Sequence, residues 1–445
     1  MHRDVLDNLR AWKADASRMP LILRGARQVG KSWLARELGK EFPGFVEINF
    51  DREPELSSLF EHSVVPEKLL SLISNYVGKP IIPGKTLLFL DEIQNCPRAL
   101  AALRYLFEEM PALHVLGAGS LLEFELCRLP VPVGRVSFLH VHPLSFGEYL
   151  CALGKQSLRA MLIENELQPL PAALHLMLSD HVRDYTLVGG MPQVVQDFIE
   201  HRDLSRSRGL QSSLIQTYQQ DFNKYAKVHQ IKYLKKVFDA IPFQVGNKFK
   251  YVSVSREHRS RELSEALELL CMAGIADKVH HSSGNGTPLR AQIDLKRFKV
   301  TFFDVGLILR MLKIDHRPVL LEPNIGSLRD GAIAELFVAQ QIRAHADPRE
   351  EFRLHYWHRE ARASNAEIDF LIELDGKVLP VEVKSGSVGR MKSLGLFLKE
   401  KAAPLGIKIS AHPFSRHDKV LSVPFYGVEA LLESGPIIFK GKHSP

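Results

Sequence analysis

A chain of 445 residues is too long for one ordinary core, so two to four domains are expected. Hydrophobic residues make up 45% and charged residues 24%, which excludes a disordered or fibrous chain, and no run approaches the roughly 18 apolar residues of a membrane span. The net charge of +7 is local: between Asn223 and Arg261 seven Lys and three Arg face only Asp239 and Glu257, so an anionic partner is expected at one place, and no membrane.

The stretch Met1–Met19 carries charges throughout, without the apolar core of a signal peptide. Cys96, Cys127, Cys151 and Cys271 lie far apart with no CxxC pair. Reduced cysteines and a cytoplasmic location are expected, rather than disulfides or a cysteine metal site.

The apolar run Met19–Arg24 ends in Gly25-Ala26-Arg27-Gln28-Val29-Gly30-Lys31-Ser32, and a helical pattern with Trp33, Leu34 and Leu38 follows. Strand, glycine loop and helix is the context that a GxxxxGK[ST] phosphate loop needs. Its glycines let successive backbone N–H groups turn towards phosphate oxygens at a helix N-terminus. Gly25 to Ser32 are therefore expected to line an ATP site, with Lys31 reaching the β- and γ-phosphates and the Ser32 hydroxyl ligating Mg²⁺.

Phe45–Asp51 supplies a second strand. Lys85–Leu90 is a buried-strand pattern ending in Asp91-Glu92, and strand ends are where such sheets hold ligands. Asp91 is expected to hold Mg²⁺, directly or through water, and Glu92 to polarise the attacking water as general base. The next strand, Leu113–Ser120, ends in a small polar residue where a γ-phosphate sensor would sit, and Arg135 precedes a last strand pattern over Val136–Ser145. The expectation for residues 1–150 is a parallel sheet of about five strands wrapped by helices.

The tandem acids, the Gly117-Ala118-Gly119-Ser120 strand end, GRVSFLHVHPLSFGEYL from Gly134 to Leu150, and the Tyr-x-x-x-Gly-Gly-x-Pro pattern of Tyr185–Pro192 carry a family resemblance. The chain resembles the AAA-superfamily P-loop ATPases of the predicted-ATPase group, which bear a C-terminal domain of uncharacterised function with a nuclease-like fold. The resemblance implies that Arg135, just before the fifth strand, is an arginine finger for a neighbouring subunit, and hence a homo-oligomer. A plain surface arginine is the alternative. It also implies a helical lid over residues 151–225, where Leu and Met recur at helical spacing and Pro169-Leu170-Pro171 breaks the pattern.

The basic segment comes next. Ile231–Ile241 reads as an amphipathic helix, and Ser255 is a candidate cap for a second, running through Leu263, Leu267 and Leu270 to Gly274. Ile275–His281 and Arg297–Phe303 read as strands about a Gly/Ser/Asn turn. Helices followed by a hairpin suggest a winged-helix-like basic module over 226–305, with Arg256, Arg259 and Arg261 at the start of a recognition helix. A protein-contact module is the alternative reading. A connector over 306–330 follows.

The C-terminal domain is expected over 331–445. Gly331–Ala346 is a helix candidate carrying Glu335, and Asp375-Gly376 is a hairpin turn between Glu367–Leu374 and Lys377–Lys384. That turn places Asp369 opposite Glu382 and Glu367 opposite Lys384 on one face, with Ile368, Phe370, Ile372, Leu379, Val381 and Val383 on the other. Opposed carboxylates repel unless something positive lies between them, and a divalent metal is the expected resolution.

These groups are similar to the PD-(D/E)XK nuclease pattern. The similarity implies an α/β restriction-endonuclease-like fold, Mg²⁺ bound by Asp369 and Glu382 with help from Glu335, and Lys384 acting catalytically on water or on developing charge. The expected function is an ATPase whose nucleotide state controls a nuclease-like domain acting on nucleic acid, DNA being favoured. The alternatives are an ATP-dependent switch or scaffold with an inert nuclease fold, and a DNA-translocating motor.

Overall fold

A computed structural model describes the chain except for residues 63–64, 127–133, 315–330, 360–365, 386–390 and 440–445. Cys127 and most of the expected connector lie outside the described residues.

Five strands form the first sheet: β1 (Leu21–Arg24), β2 (Gly44–Asn49), β3 (Thr86–Asp91), β4 (His114–Ala118) and β5 (Ser137–His140). They lie in the order β2-β3-β4-β1-β5, and every pairing is parallel. The middle strands read as unbroken apolar runs because helices cover both faces; β3 and β4 are buried at every residue. One face packs with the helices Pro66–Val77 and Pro97–Glu109. The expected five-stranded parallel sheet is present, and β4 separates the strand that opens the phosphate loop from the strand that ends in Asp91.

Helices Gln156–Glu164, Ala172–Val188, Pro192–His201 and Leu204–Tyr225 fill the region expected to be a lid. The basic segment gives helices Val228–Gln244 and Ser260–Met272. The second of these begins with Arg259 at the N-cap position, so Ser255 does not cap it.

The second sheet has eight strands. They are β6 (Ala276–Ser282), β7 (Ile293–Phe302), β8 (His355–His358), β9 (Glu367–Leu374), β10 (Lys377–Val383), β11 (Gly406–Ser410), β12 (Ser415–His417) and β13 (Val420–Pro424). The order is β12-β13-β11-β10-β9-β8-β6-β7. The expected wing hairpin, β6 and β7, exists, but it is not a separate wing: β6 pairs with β8 at His280↔His355 and His281↔Tyr356, so the hairpin forms one edge of the C-terminal sheet.

The β9–β10 ladder has the expected register, from Leu374↔Lys377 to Phe370↔Val381. The expected facing of all residues fails at the start of β9, where its pairing with β8 slips between His355↔Leu371 and Trp357↔Ile368. Such an irregularity breaks the period of two. Ile368 consequently packs with Leu371 and Phe397, whereas Phe370 and Ile372 join the cluster that holds Leu336 and Phe337 of the helix Ala332–Ala344. That large cluster also contains Leu23, Leu34, Tyr185 and Leu234, so the ATPase sheet, the lid and the C-terminal sheet share one continuous core.

Candidate active sites

After β1 the backbone turns sharply, with φ of +133° at Gly25, +63° at Gln28 and +99° at Gly30. A Cβ on Gly25 would collide with the Val141 carbonyl oxygen, so only glycine fits there. Gly30 caps the helix Lys31–Gly39, whose first N–H groups therefore face the loop. The Lys31 ammonium is buried, 2.8 Å from the Gly25 carbonyl oxygen and 2.7 Å from that of Ala26. Burial pulls it down to about 8, against the opposing pull of Glu92 and Asp91.

Asp91 closes the other side. Its Oδ2 accepts from the Ser32 hydroxyl at 2.9 Å and from Asn49 Nδ2 at 3.0 Å, and burial raises its pKa. Glu92 sits in the left-handed region at φ +49°. Its Oε2 accepts from Gln94 Nε2 at 2.6 Å and from the Ser120 hydroxyl at 3.2 Å. The structure thus brings Lys31, Ser32, Asp91, Glu92 and Ser120 together. Asn49 and Gln94 are additions, single polar residues with no motif of their own in the sequence.

Three distant segments hold the loop. Arg3, 4% exposed, donates from Nη1 to the Val29 carbonyl (2.8 Å), from Nη2 to the His142 carbonyl (2.6 Å) and from Nε to Glu148 (3.0 Å). Arg27 Nη1 donates to both oxygens of Asp221, at 2.9 and 3.0 Å, and the Tyr218 hydroxyl donates to the Arg27 carbonyl; both partners lie on the lid helix Leu204–Tyr225. The turn at Gly274 lies so close to Ala26 that an added Cβ would be 3.1 Å from the Ala26 nitrogen.

Arg135 is not part of this assembly. Its Nε is 2.8 Å from Glu108 on an exposed helix face. It precedes Ser137, which pairs with Leu21 at the start of β1, so Arg135 lies at the end of the sheet away from the loop that follows Arg24.

The second site gathers four segments. Lys299 enters from β7 with its side chain 4% exposed, and its Nζ lies 2.6 Å from Glu367, 3.4 Å from Glu335 and 3.8 Å from Asp369. Burial disfavours its charge, yet Glu335, Asp369 and Glu367 together raise its pKa. Burial and the neighbouring Asp369 charge lift Glu335 to about 8 and Glu382 to about 7. Lys384 Nζ pairs with Glu382 Oε1 at 2.5 Å. Asp369 does not simply face Glu382: beyond Phe370↔Val381 its Oδ2 accepts the Val383 N–H at 2.8 Å.

The acids expected to converge on a metal are instead divided between two lysines. Among the described residues, the cluster whose ligand atoms all lie within 4.8 Å of one another is Asp4, His345 and Glu429. There the Arg159 guanidinium is seated between the carboxylates, 2.6 Å from Asp4 and 2.5 Å from Glu429. The Oε2 of Glu382, buried and without a hydrogen-bond partner among the described residues, is the donor atom in the second site that suits a hard cation.

A joint links the two sites. The Tyr185 hydroxyl donates to the Leu144 carbonyl (2.5 Å) and accepts from Gln340 Nε2 (2.8 Å), while the Gly190 N–H donates to Asp304 at 2.6 Å. Burial raises fully enclosed Asp304 to about 6. Gln341 accepts the Phe146 N–H at 2.7 Å. Gln340 and Gln341 lie on the helix that carries Glu335.

Residues 17–150 match the family described as AAA domain, residues 179–317 a Domain of unknown function (DUF8612), and residues 330–426 a Domain of unknown function (DUF4143). No curated protein matches the chain. Among solved structures, a Walker-type ATPase of Pyrococcus abyssi is 14% identical, with 70% of this chain and 96% of that one covered at a TM-score of 0.44. A Thermotoga maritima RuvB variant is 14% identical over 66% and 91%, with a TM-score of 0.32. A Pyrococcus horikoshii signal-transduction ATPase with a tetratricopeptide repeat sensor is 12% identical over 76% and 48%, with a TM-score of 0.23. These likenesses are distant, and the assignment rests on the matched family and on the loop. Residues 17–150 are an AAA-type P-loop ATPase domain, which supports ATP binding and hydrolysis. No helix among the described residues is long and apolar enough to cross a membrane.

Proposed function

We propose that this protein is an ATP-driven switch whose nucleotide state controls a nuclease-like centre acting on nucleic acid, with DNA the favoured polymer. The observation that carries the reading is the Tyr185 joint: one hydroxyl bonds both the backbone after β5 and Gln340 on the helix that bears Glu335. A change at the phosphate loop reaches that joint through a shared core and through the lid helix that grips Arg27.

In this reading the loop amides of Gly25–Ser32 bind the phosphates, and Lys31 exchanges its two carbonyl partners for phosphate oxygens. Ser32 and Asp91 would hold Mg²⁺, which neutralises phosphate charge. Glu92, oriented by Gln94 and Ser120, takes the proton of the attacking water. Arg135 faces away from its own loop, which suits action on the site of a neighbouring subunit in a homo-oligomer.

At the second site, Asp369, Glu382 and Glu335 would hold a divalent cation, which supplies Lewis-acid activation of a phosphodiester. Lys384 is positioned by Glu382 to act on charge developing beside them. The basic segment supports the polymer as partner. Lys232, Lys235, Lys236, Arg256, Arg259 and Arg261 are exposed, and the segment reaches the acid cluster through a bridge between Lys248 and Lys299.

Purified protein incubated with plasmid, Mg²⁺ and ATP tests the reading. ATP-dependent strand cleavage lost in Asp369→Asn supports it. The second reading, a switch with an inert nuclease fold, is favoured by one observation: the Lys299 ammonium already lies among three of the acids. Full ATP turnover with no cleavage of DNA or RNA would select it.

A further inference from the structure

We propose that Lys299 is the resident cation of the acid cluster, and that a divalent metal ion binds there only by displacing it. This rests on the reading of the cluster as a metal-dependent centre.

The cluster sets four carboxylates, Glu335, Glu367, Asp369 and Glu382, against two ammonium groups, and the two are not equivalent. Among the described residues Lys384 forms an ion pair with Glu382 alone, and its side chain is partly exposed, retaining 28% accessibility. Lys299 is almost fully enclosed and lies among Glu367, Glu335 and Asp369, with the Tyr356 ring 5.5 Å away on a further side. It comes from an edge strand that belongs to neither the β9–β10 hairpin nor the Glu335 helix, so its presence there follows from the eight-stranded sheet.

A hard divalent cation takes carboxylate oxygens at about 2.0–2.6 Å. Of the three acids that would take the ion, Lys299 now engages Glu335 and Asp369, and its ammonium lies between them and Glu367, while Glu382 pairs with Lys384. Binding is therefore an exchange: the metal gains the acids, and the ammonium must find another place. Two like charges cannot share the same oxygens, and a buried cation stripped of its partners is strongly disfavoured. The metal's observed affinity is thereby lower than the intrinsic affinity of the acids, by whatever it takes to release the lysine.

The test uses Mn²⁺ titrated into the full-length protein and followed by the loss of the free-ion magnetic resonance signal. Lys299→Met should bind Mn²⁺ at least tenfold more tightly than the parent, and Lys384→Met, an equal loss of charge, should tighten binding much less. In the parent, acylation of Lys299 by a small amine reagent, read by mass spectrometry, should be slow without metal and faster with saturating Mn²⁺. Equal tightening by both variants, or unchanged affinity in Lys299→Met, overturns the exchange. The acylation arm stands even if Lys299→Met does not fold, and an unchanged rate with Mn²⁺ bound overturns it. Asp369→Asn separates the two ideas. If the parent binds Mn²⁺, Asp369→Asn abolishes it and Lys299→Met has no effect, the metal centre stands and the displacement fails. If neither the parent nor Lys299→Met binds Mn²⁺, the metal reading itself falls, and the displacement with it.

Discussion

Gln340 Nε2 donates to the Tyr185 hydroxyl at 2.8 Å, joining the helix that carries Glu335 to the last turn of a lid helix 155 residues earlier in the chain. Tyr185 is fully buried, so each of its polar bonds is made in the dry interior. Tyr185→Phe should destabilise the protein by about 1–3 kcal/mol, because the Leu144 carbonyl and the Gln340 amide lose a partner without gaining water. Thermal unfolding checks the cost. If the joint transmits nucleotide state, any ATP dependence of C-terminal activity should weaken in the same variant; an unaltered ATP dependence would show that the signal travels elsewhere.

Lys31→Ala should abolish ATP binding, since the loop loses its mobile cation. Glu92→Gln should retain binding and lower turnover by about 10² or more, because Gln94 and Ser120 still meet an oxygen while the base is gone. A fluorescent nucleotide and a phosphate-release assay measure the two separately. Equal turnover in Glu92→Gln and the parent would remove Glu92 from its role.

Arg135→Ala should slow hydrolysis without weakening nucleotide binding if the arginine serves a neighbour. Mixing it with Glu92→Gln protein should then restore part of the activity, as an intact finger meets an intact base. A monomeric active species, by light scattering, would leave Arg135 as the partner of Glu108 alone.

The acid cluster makes stability depend on pH in the metal-free protein. Glu335 at about 8 and Glu382 at about 7 both lie above the ordinary 4.5, so the folded state binds their protons more tightly than the unfolded chain does. Their contribution is fully present below about pH 4.5 and is lost as pH rises through 7 and 8. The melting temperature in chelator should therefore fall across that window, and Glu335→Gln should flatten the fall. An identical slope in that variant would mean that Glu335 is already charged at neutral pH.

Nucleic-acid binding by the basic segment should be steeply salt-dependent. Replacing Arg256, Arg259 and Arg261 with Ala should lower the slope of log affinity against log salt by about 0.9 for each duplex phosphate that is no longer neutralised. An unchanged slope, measured by fluorescence anisotropy, would make the segment a protein-contact module.

The features legible in the sequence are those whose residues are close together in it. The phosphate loop, the Asp91-Glu92 strand end and the hairpin about Asp375-Gly376 depend on a few consecutive positions, and the register Leu374↔Lys377 follows from the turn alone. Charge repulsion at the cluster was legible too: opposed acids need a positive group between them. Which group it is was decided by tertiary structure. Lys299 reaches Glu367 because the β6–β7 hairpin joins β8 as the edge of an eight-stranded sheet, a pairing between segments some 75 residues apart (His280 and His355) that no local period encodes. Asp369 meets the Val383 amide because β9 slips against β8, which a strict alternation of two cannot anticipate. Arg3 under the loop and Asp221 on Arg27 are of the same kind, single polar residues whose meaning lies in a partner brought close by the shared core. Composition and period fix which elements form; burial of polar groups fixes which of them must meet, and that pairing is settled only once the chain is folded.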